Sequence, residues 1–132
     1  MENMNNIEMI RGLYDSFANG DVPTVLAAFD ENIEWVEAEG TPYGGTYRNA
    51  NDIVQNVFMK LATEWTGYTV KPNEFYDAGE TVIVTGNYSG SYNATGKNMS
   101  TPFAHFWSVA GGKIVKFVQY TDTAVMNRAL AG

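Results

Sequence analysis

Apolar side chains recur at Ile7, Ile10, Tyr14 and Phe17, the spacing of one buried face of a helix. The run "NGD" at residues 19–21 ends that helix. Its glycine suits a C-terminal cap, its aspartate suits the N-cap of a second helix, and Pro23 falls where a first turn tolerates proline. The second helix is short, carrying Val25, Leu26 and Phe29, and "DEN" breaks it before a strand, "IEWVEA". Residues 39–49 are dense in Gly, Pro and Thr and predict a loop that holds Tyr43 and Tyr47. Asn49 with Asp52 three positions on resembles an N-cap pair, and Ile53, Val57, Leu61 and Trp65 mark the core stripe of a third helix.

Beyond that helix the pattern changes to period two. Residues 67–78, 80–92, 97–109 and 113–123 are rich in β-branched and aromatic side chains, and Gly, Asn or Asp separates each from the next. Turns in succession predict an antiparallel meander, and residues 122–132 form a short helix or fray. The expected fold is α+β: three helices packed on one face of a strongly curved antiparallel sheet. Where helices cover such a sheet incompletely, the gap is a conical pocket.

A length of 132 residues fits one domain spanning 1–132, large enough to bury a core without disulfide or metal. No apolar run approaches the roughly 18 residues of a membrane span. The net charge of −7, with eight scattered basic residues, argues against nucleic acid, whose phosphates need clustered Lys and Arg. Without cysteine and with one histidine, thiolate nucleophiles, zinc–thiolate sites and imidazole clusters are excluded, so neither metal nor organic cofactor is expected. The first residues lack the basic region and apolar run of a signal peptide, so the expected location is cytoplasmic. Sequons at Asn87, Asn93 and Asn98 then read as polar strand-end and turn residues.

The single histidine, His105, sits in an aromatic strand, and the length of the turn at "VAGGKI" decides its company. A three-residue loop, 110–112, closes Val109 onto Lys113 and sets His105 opposite Phe117 and diagonal to Gln119. A two-residue Gly111-Gly112 loop closes Ala110 onto Lys113 and gives His105 the company of Tyr120 and Asp122. Local chemistry leaves both registers open.

With "LYDSFANGD" in the first helix, "GTPYGGTYRN" before the third, "HFWSV" in the penultimate strand and "GKIVKFVQYTDT" in the last, the chain resembles a known family. This is the SnoaL-like, ketosteroid-isomerase-related group of the nuclear transport factor 2-like superfamily. The resemblance implies a cone with an apolar interior and a homodimer formed through the sheets. It also favours the three-residue loop, which groups Phe103, His105, Trp107, Phe117, Gln119 and Thr121 on one face. By the same alternation, Trp35 and Glu37 share a face of the first strand. Enzymes of the group use carboxylates in this cone. The last-strand aspartate of the cyclases and epoxide hydrolases is matched here by Gln119. The base and acid positions of the isomerases are matched by Trp35 and His105, so neither carboxylate is preserved.

His105 is the expected proton carrier, because an imidazole exchanges protons near neutral pH; the competing reading is a histidine hydrogen-bonded within the core. Glu37 is the remaining acid, with a pKa that burial would raise, or else a solvated rim residue. Gln119, an amide, would hold an oxygen. Asp122 is expected to cap the C-terminal turn. Trp35, Trp107, Tyr14, Phe17, Tyr43, Phe58, Phe103, Phe117 and Thr121 are the expected ligand wall, against the plainer reading of aromatic core. The expected function is binding of a small, mostly apolar, carbonyl- or hydroxyl-bearing molecule, with isomerase- or cyclase-type proton transfer. The alternatives are a non-catalytic binding or dimeric interaction module and a weaker one, epoxide-hydrolase-like water activation.

Overall fold

The computed structural model describes residues 2–132. Helix α1 (Glu2–Ala18) leads through a tight turn into α2 (Val22–Ala27), whose N-cap Asp21 accepts from the Thr24 amide. Strand β1 (Phe29–Glu37) follows, then β2 (Gly45–Tyr47). Next, α3 (Ala50–Ile53), a π-helical turn (Val54–Phe58) and α4 (Met59–Glu64) run on without a break. Four long strands complete the sheet: β3 (Trp65–Ala78), β4 (Thr81–Tyr92), β5 (Asn98–Ala110) and β6 (Lys113–Thr121). Helix α5 (Thr123–Leu130) closes the described chain, and Asp122 caps it by accepting from the amides of Ala124 and Val125. Among the described residues, no helix is long and apolar enough to cross a membrane.

The six strands are ordered β2-β1-β6-β5-β4-β3. The expected α+β cone with its meander is present, from β3 to β6. The sheet is mixed, however, because β1 pairs with β6 in parallel, and part of the expected loop is strand β2, paired with β1. Two boundaries also move. Phe29 belongs to β1 because the Ala28 carbonyl accepts from the Ile114 amide and Lys113 Nζ caps α2 at the Ala27 carbonyl. Trp65 begins β3 because Asn93 closes α4, donating from its backbone to the Glu64 carbonyl and from its side chain to that of Thr63.

The β5–β6 turn is the two-residue loop, with Gly111 at φ 57° and Gly112 at φ 76°, and Ala110 pairs with Lys113. Left-handed residues at both positions match the twist of the flanking strands. Yet the register is not the one that loop alone would set. Val109 faces Ile114 while Ser108 faces Lys116, so Val115 is an extra, unpaired residue. Without it, alternation from Ile114 would carry Lys116 into the core; with it, Lys116 stays out and Phe117 and Gln119 turn in. His105 therefore lies directly opposite Gln119, not Phe117, which faces Trp107. Tyr120 points outward, 59% exposed and edge-on to Phe106, and neither it nor Asp122 meets His105.

The core fills the concave side. Ile10, Leu13 and Tyr14 of α1 meet Val82, Val84, Phe103, Trp107 and Ile114 of the sheet. At Gly86, opposite Phe103, a Cβ would stand 2.2 Å from the Lys71 carbonyl oxygen and 2.5 Å from the Phe103 ring. Gly86→Ala is therefore expected to lower stability by about 1–3 kcal/mol in urea unfolding, by overpacking against backbone that has no room to yield.

Candidate functional site

Three neighbouring strands each turn side chains into the cone. On β5 the inward set includes Phe103, His105 and Trp107, on β6 Phe117 and Gln119, and on β1 Trp35 and Glu37. Trp35 stacks on Phe117 at 3.8 Å, which joins the parallel pair across its inner face. The Ala38 amide donates to Gln119 Oε1 at 3.0 Å and ties the end of β1 to β6. Above them, the π turn widens the third helical segment and brings Phe58 inward beside Val57, where Phe58 meets Phe17 and Trp35 edge-on. The result is a cavity of about 400 Å³. Its polar surface includes Glu37, Thr69, Tyr88, His105 and Gln119; its walls include Phe17, Trp35, Phe58, Leu61, Tyr68, Val70 and Trp107.

Both ring nitrogens of His105 are engaged. Nδ1 lies 2.6 Å from Tyr14 Oη, and Nε2 bonds with Tyr88 Oη. Trp107 Nε1 donates to Tyr14 Oη at 2.8 Å, and Gln119 Nε2 donates to Tyr88 Oη at 2.9 Å. Phe103 stacks on the imidazole at 3.9 Å. With His105 4% exposed, burial holds its pKa well below the usual histidine range, so it stays neutral at physiological pH.

Glu37 is held differently. Its Oε2 accepts from Trp35 Nε1 at 2.7 Å, and no lysine or arginine lines the cavity beside it. Burial raises its pKa from 4.5 to about 7, against the opposing pull of the Trp35 and Gln119 hydrogen bonds. A carboxyl group poised there both takes up and releases a proton near neutral pH. Burial also pushes the Tyr14, Tyr68 and Tyr88 hydroxyls upward, so all three remain protonated.

The strand pattern thus brings Glu37, His105, Gln119, Trp35 and Trp107 to one cavity with Phe17 and Phe58. Five expected wall residues do not line it. Tyr14 stands behind His105, and Phe103 and Phe117 lie beneath His105 and Trp35 as stacking partners. Tyr43 is locked between Trp65 Nε1, at 2.9 Å, and Glu64, at 2.8 Å, and so pins the loop. Thr121 spends its hydroxyl on the Pro102 carbonyl. Leu61, expected as plain core, is half-buried on the cavity wall. Tyr88 and Tyr68 were not among the expected site residues. Alternation through Val82, Val84 and Gly86 places Tyr88 inward; Tyr68 lies within a register shift in β3, between Thr66 and Thr69, that leaves no such signal.

Residues 10–117 match the family described as SnoaL-like domain. An NTF2-like protein from Burkholderia thailandensis is 43% identical, with 96% of this chain and 97% of that one covered at a TM-score of 0.92. An NTF2-like protein of unknown function from Burkholderia pseudomallei is 29% identical over 97% and 98%, at 0.88. TerC, co-crystallized with polyporic acid, is 26% identical over 95% and 97%, at 0.84. No curated protein matches the chain.

The buried carboxyl has a measurable consequence for stability. Because the folded state holds the Glu37 proton up to about pH 7 while the unfolded state releases it near 4.5, stability contributed by this group falls as pH rises between those values and levels off above them. The span corresponds to about 3 kcal/mol. Protonation of His105 on unfolding works in the opposite direction below its ordinary pKa of 6.5, so the comparison must isolate Glu37. Urea unfolding of Glu37→Gln relative to wild type is expected to show a difference that grows in the variant's favour from pH 4.5 to pH 7, by about 3 kcal/mol, and is flat outside that window.

Proposed function

The chain belongs to the SnoaL-like domain family, and from that premise we propose that it binds a small, largely apolar molecule bearing a carbonyl or hydroxyl group and moves a proton next to that group. The observation that carries this reading is one buried carboxyl, Glu37, poised near pH 7 on the polar surface of an otherwise aromatic and aliphatic cavity. A volume of about 400 Å³ suits a ligand of two or three rings. The co-crystal of TerC with polyporic acid supports a small-molecule occupant for a cone of this kind.

In this reading Glu37, not His105, is the proton carrier. The imidazole is neutral with both nitrogens occupied, and its place is to support the polar surface that receives the ligand's oxygen. Ionised Glu37 takes a proton from a carbon beside a carbonyl, the C–H electron pair moves toward the oxygen, and the resulting acid returns the proton to the same or a conjugated carbon. No atom is gained or lost, as an isomerisation requires.

A second reading is supported by Gln119, an amide where a second acid would assist: the cavity binds without turnover. Exchange of the α-hydrogens of 2-tetralone for deuterium in heavy water, followed by NMR, separates the two. Proton transfer predicts exchange that rises through a midpoint near pH 7 and falls at least about a hundredfold in Glu37→Gln, while that variant still binds the ketone. Binding without exchange in the wild type selects the non-catalytic reading. Exchange at an equal rate in Glu37→Gln removes Glu37 from the mechanism.

A further inference from the structure

The hydrogens around His105 can be counted. A neutral imidazole carries one N–H, so one ring nitrogen donates and the other accepts. Tyr14, His105 and Tyr88 together bring three hydrogens to the two contacts that link them, which leaves one hydroxyl hydrogen over.

Where that hydrogen goes follows from burial. Tyr14 is 5% exposed and does not line the cavity, and its oxygen already accepts from Trp107 Nε1. If His105 carried its hydrogen on Nδ1, the Tyr14 oxygen would accept twice and its own hydrogen would be stranded among apolar side chains, which costs the full desolvation of a polar group. Tyr88 lines the cavity, as do both partners of its hydroxyl, His105 and Gln119, so the outlet for the spare hydrogen is on this side. The favoured arrangement has Tyr14 donating to a bare Nδ1 and Nε2–H donating to Tyr88.

Tyr88 is then filled on its accepting side. Gln119 Oε1 takes the Ala38 amide hydrogen, which orients the side-chain amide and sends Nε2–H to Tyr88 Oη. With His105 and Gln119 both donating to it, that oxygen has no lone pair left for a ligand. We propose that Tyr14 locks His105 as the Nε2–H tautomer, and that the locked imidazole and Gln119 make Tyr88 a dedicated hydrogen-bond donor selecting ligands with an acceptor oxygen over ligands of equal shape with only a donor. His105 and Tyr14 are positioning residues in this arrangement, and Tyr88 is the group that touches the ligand. The selection rests on the small-molecule reading of the cavity; the tautomer does not.

Because His105 is the only histidine, ¹⁵N-histidine labelling gives a single imidazole to observe. In the ligand-free protein at pH 8, Nε2 is expected to carry the hydrogen and Nδ1 to be bare; an Nδ1–H imidazole overturns the lock. Selection is read with two bicyclic probes of matched size, 1-indanone as acceptor and indole as donor, titrated while the Trp107 indole signal reports occupancy. The wild type is expected to bind 1-indanone at least about tenfold more tightly than indole. In Tyr88→Phe, which keeps the ring that packs on Phe103, the preference is expected to collapse to within about twofold. Equal affinities in the wild type, or a preference that survives Tyr88→Phe, overturns the selection. Binding of neither probe overturns the small-molecule reading and the selection with it, and the tautomer measurement then decides the lock by itself.

Discussion

One additional residue in the last strand, Val115, sets which side chains face the interior of the cone. The Gly111-Gly112 turn closes the β5–β6 pair one position away from the register the core needs, and the bulge restores it. Ile114 and Phe117 both reach the apolar interior, three positions apart, and Lys116 between them stays on the outer face. Everything at the site inherits that phase: Gln119 opposite His105, Phe117 under Trp35, and, through the parallel pairing of β1, Glu37 beside Gln119. A strand cannot be shifted by one position without exchanging its buried and exposed faces, so burial of Phe117 and Gln119 and exclusion of Lys116 are one constraint.

The two titratable groups that this phase brings inside respond to burial in opposite ways. His105 is surrounded by hydroxyl partners and aromatic rings, and desolvation keeps it neutral. Glu37 has two hydrogen-bond donors but no cation among the described residues, and desolvation moves its ionisation toward neutrality. In the proposed reading, such a pair divides the labour in a way that a family resemblance alone would not assign. The histidine, the more familiar proton carrier, is a fixed part of a hydrogen-bonded wall, and the glutamate is the group we propose to exchange a proton at working pH.

Much of this was legible in the chain. The 3.6-residue pattern marks α1, and the period-two pattern marks the four long strands and places Trp35 with Glu37 and His105 with Trp107. The phase of β6 was harder, because a glycine pair, a bulge and a core demand act together, and only the Ile114–Lys116–Phe117 spacing hints at the extra residue. The parallel place of β1 is a long-range pairing that no local pattern encodes. Tyr43, Phe103 and Phe117 are as aromatic as the residues that line the cavity. Whether an aromatic ring faces a ligand or another ring is decided by packing layers, and the alternation of a single strand does not distinguish them.

Glu37 is a buried carboxyl without a cationic partner among the described residues, and its ionisation is directly observable. With ¹³C-labelled glutamate, the side-chain carboxyl resonance of Glu37, assigned by its loss in Glu37→Gln, can be followed from pH 4 to pH 9. A midpoint near 7 is expected, well separated from the exposed glutamates. A midpoint near 4.5 would mean that water or an unseen partner solvates the carboxylate, and the proton-transfer reading of the cavity would be contradicted.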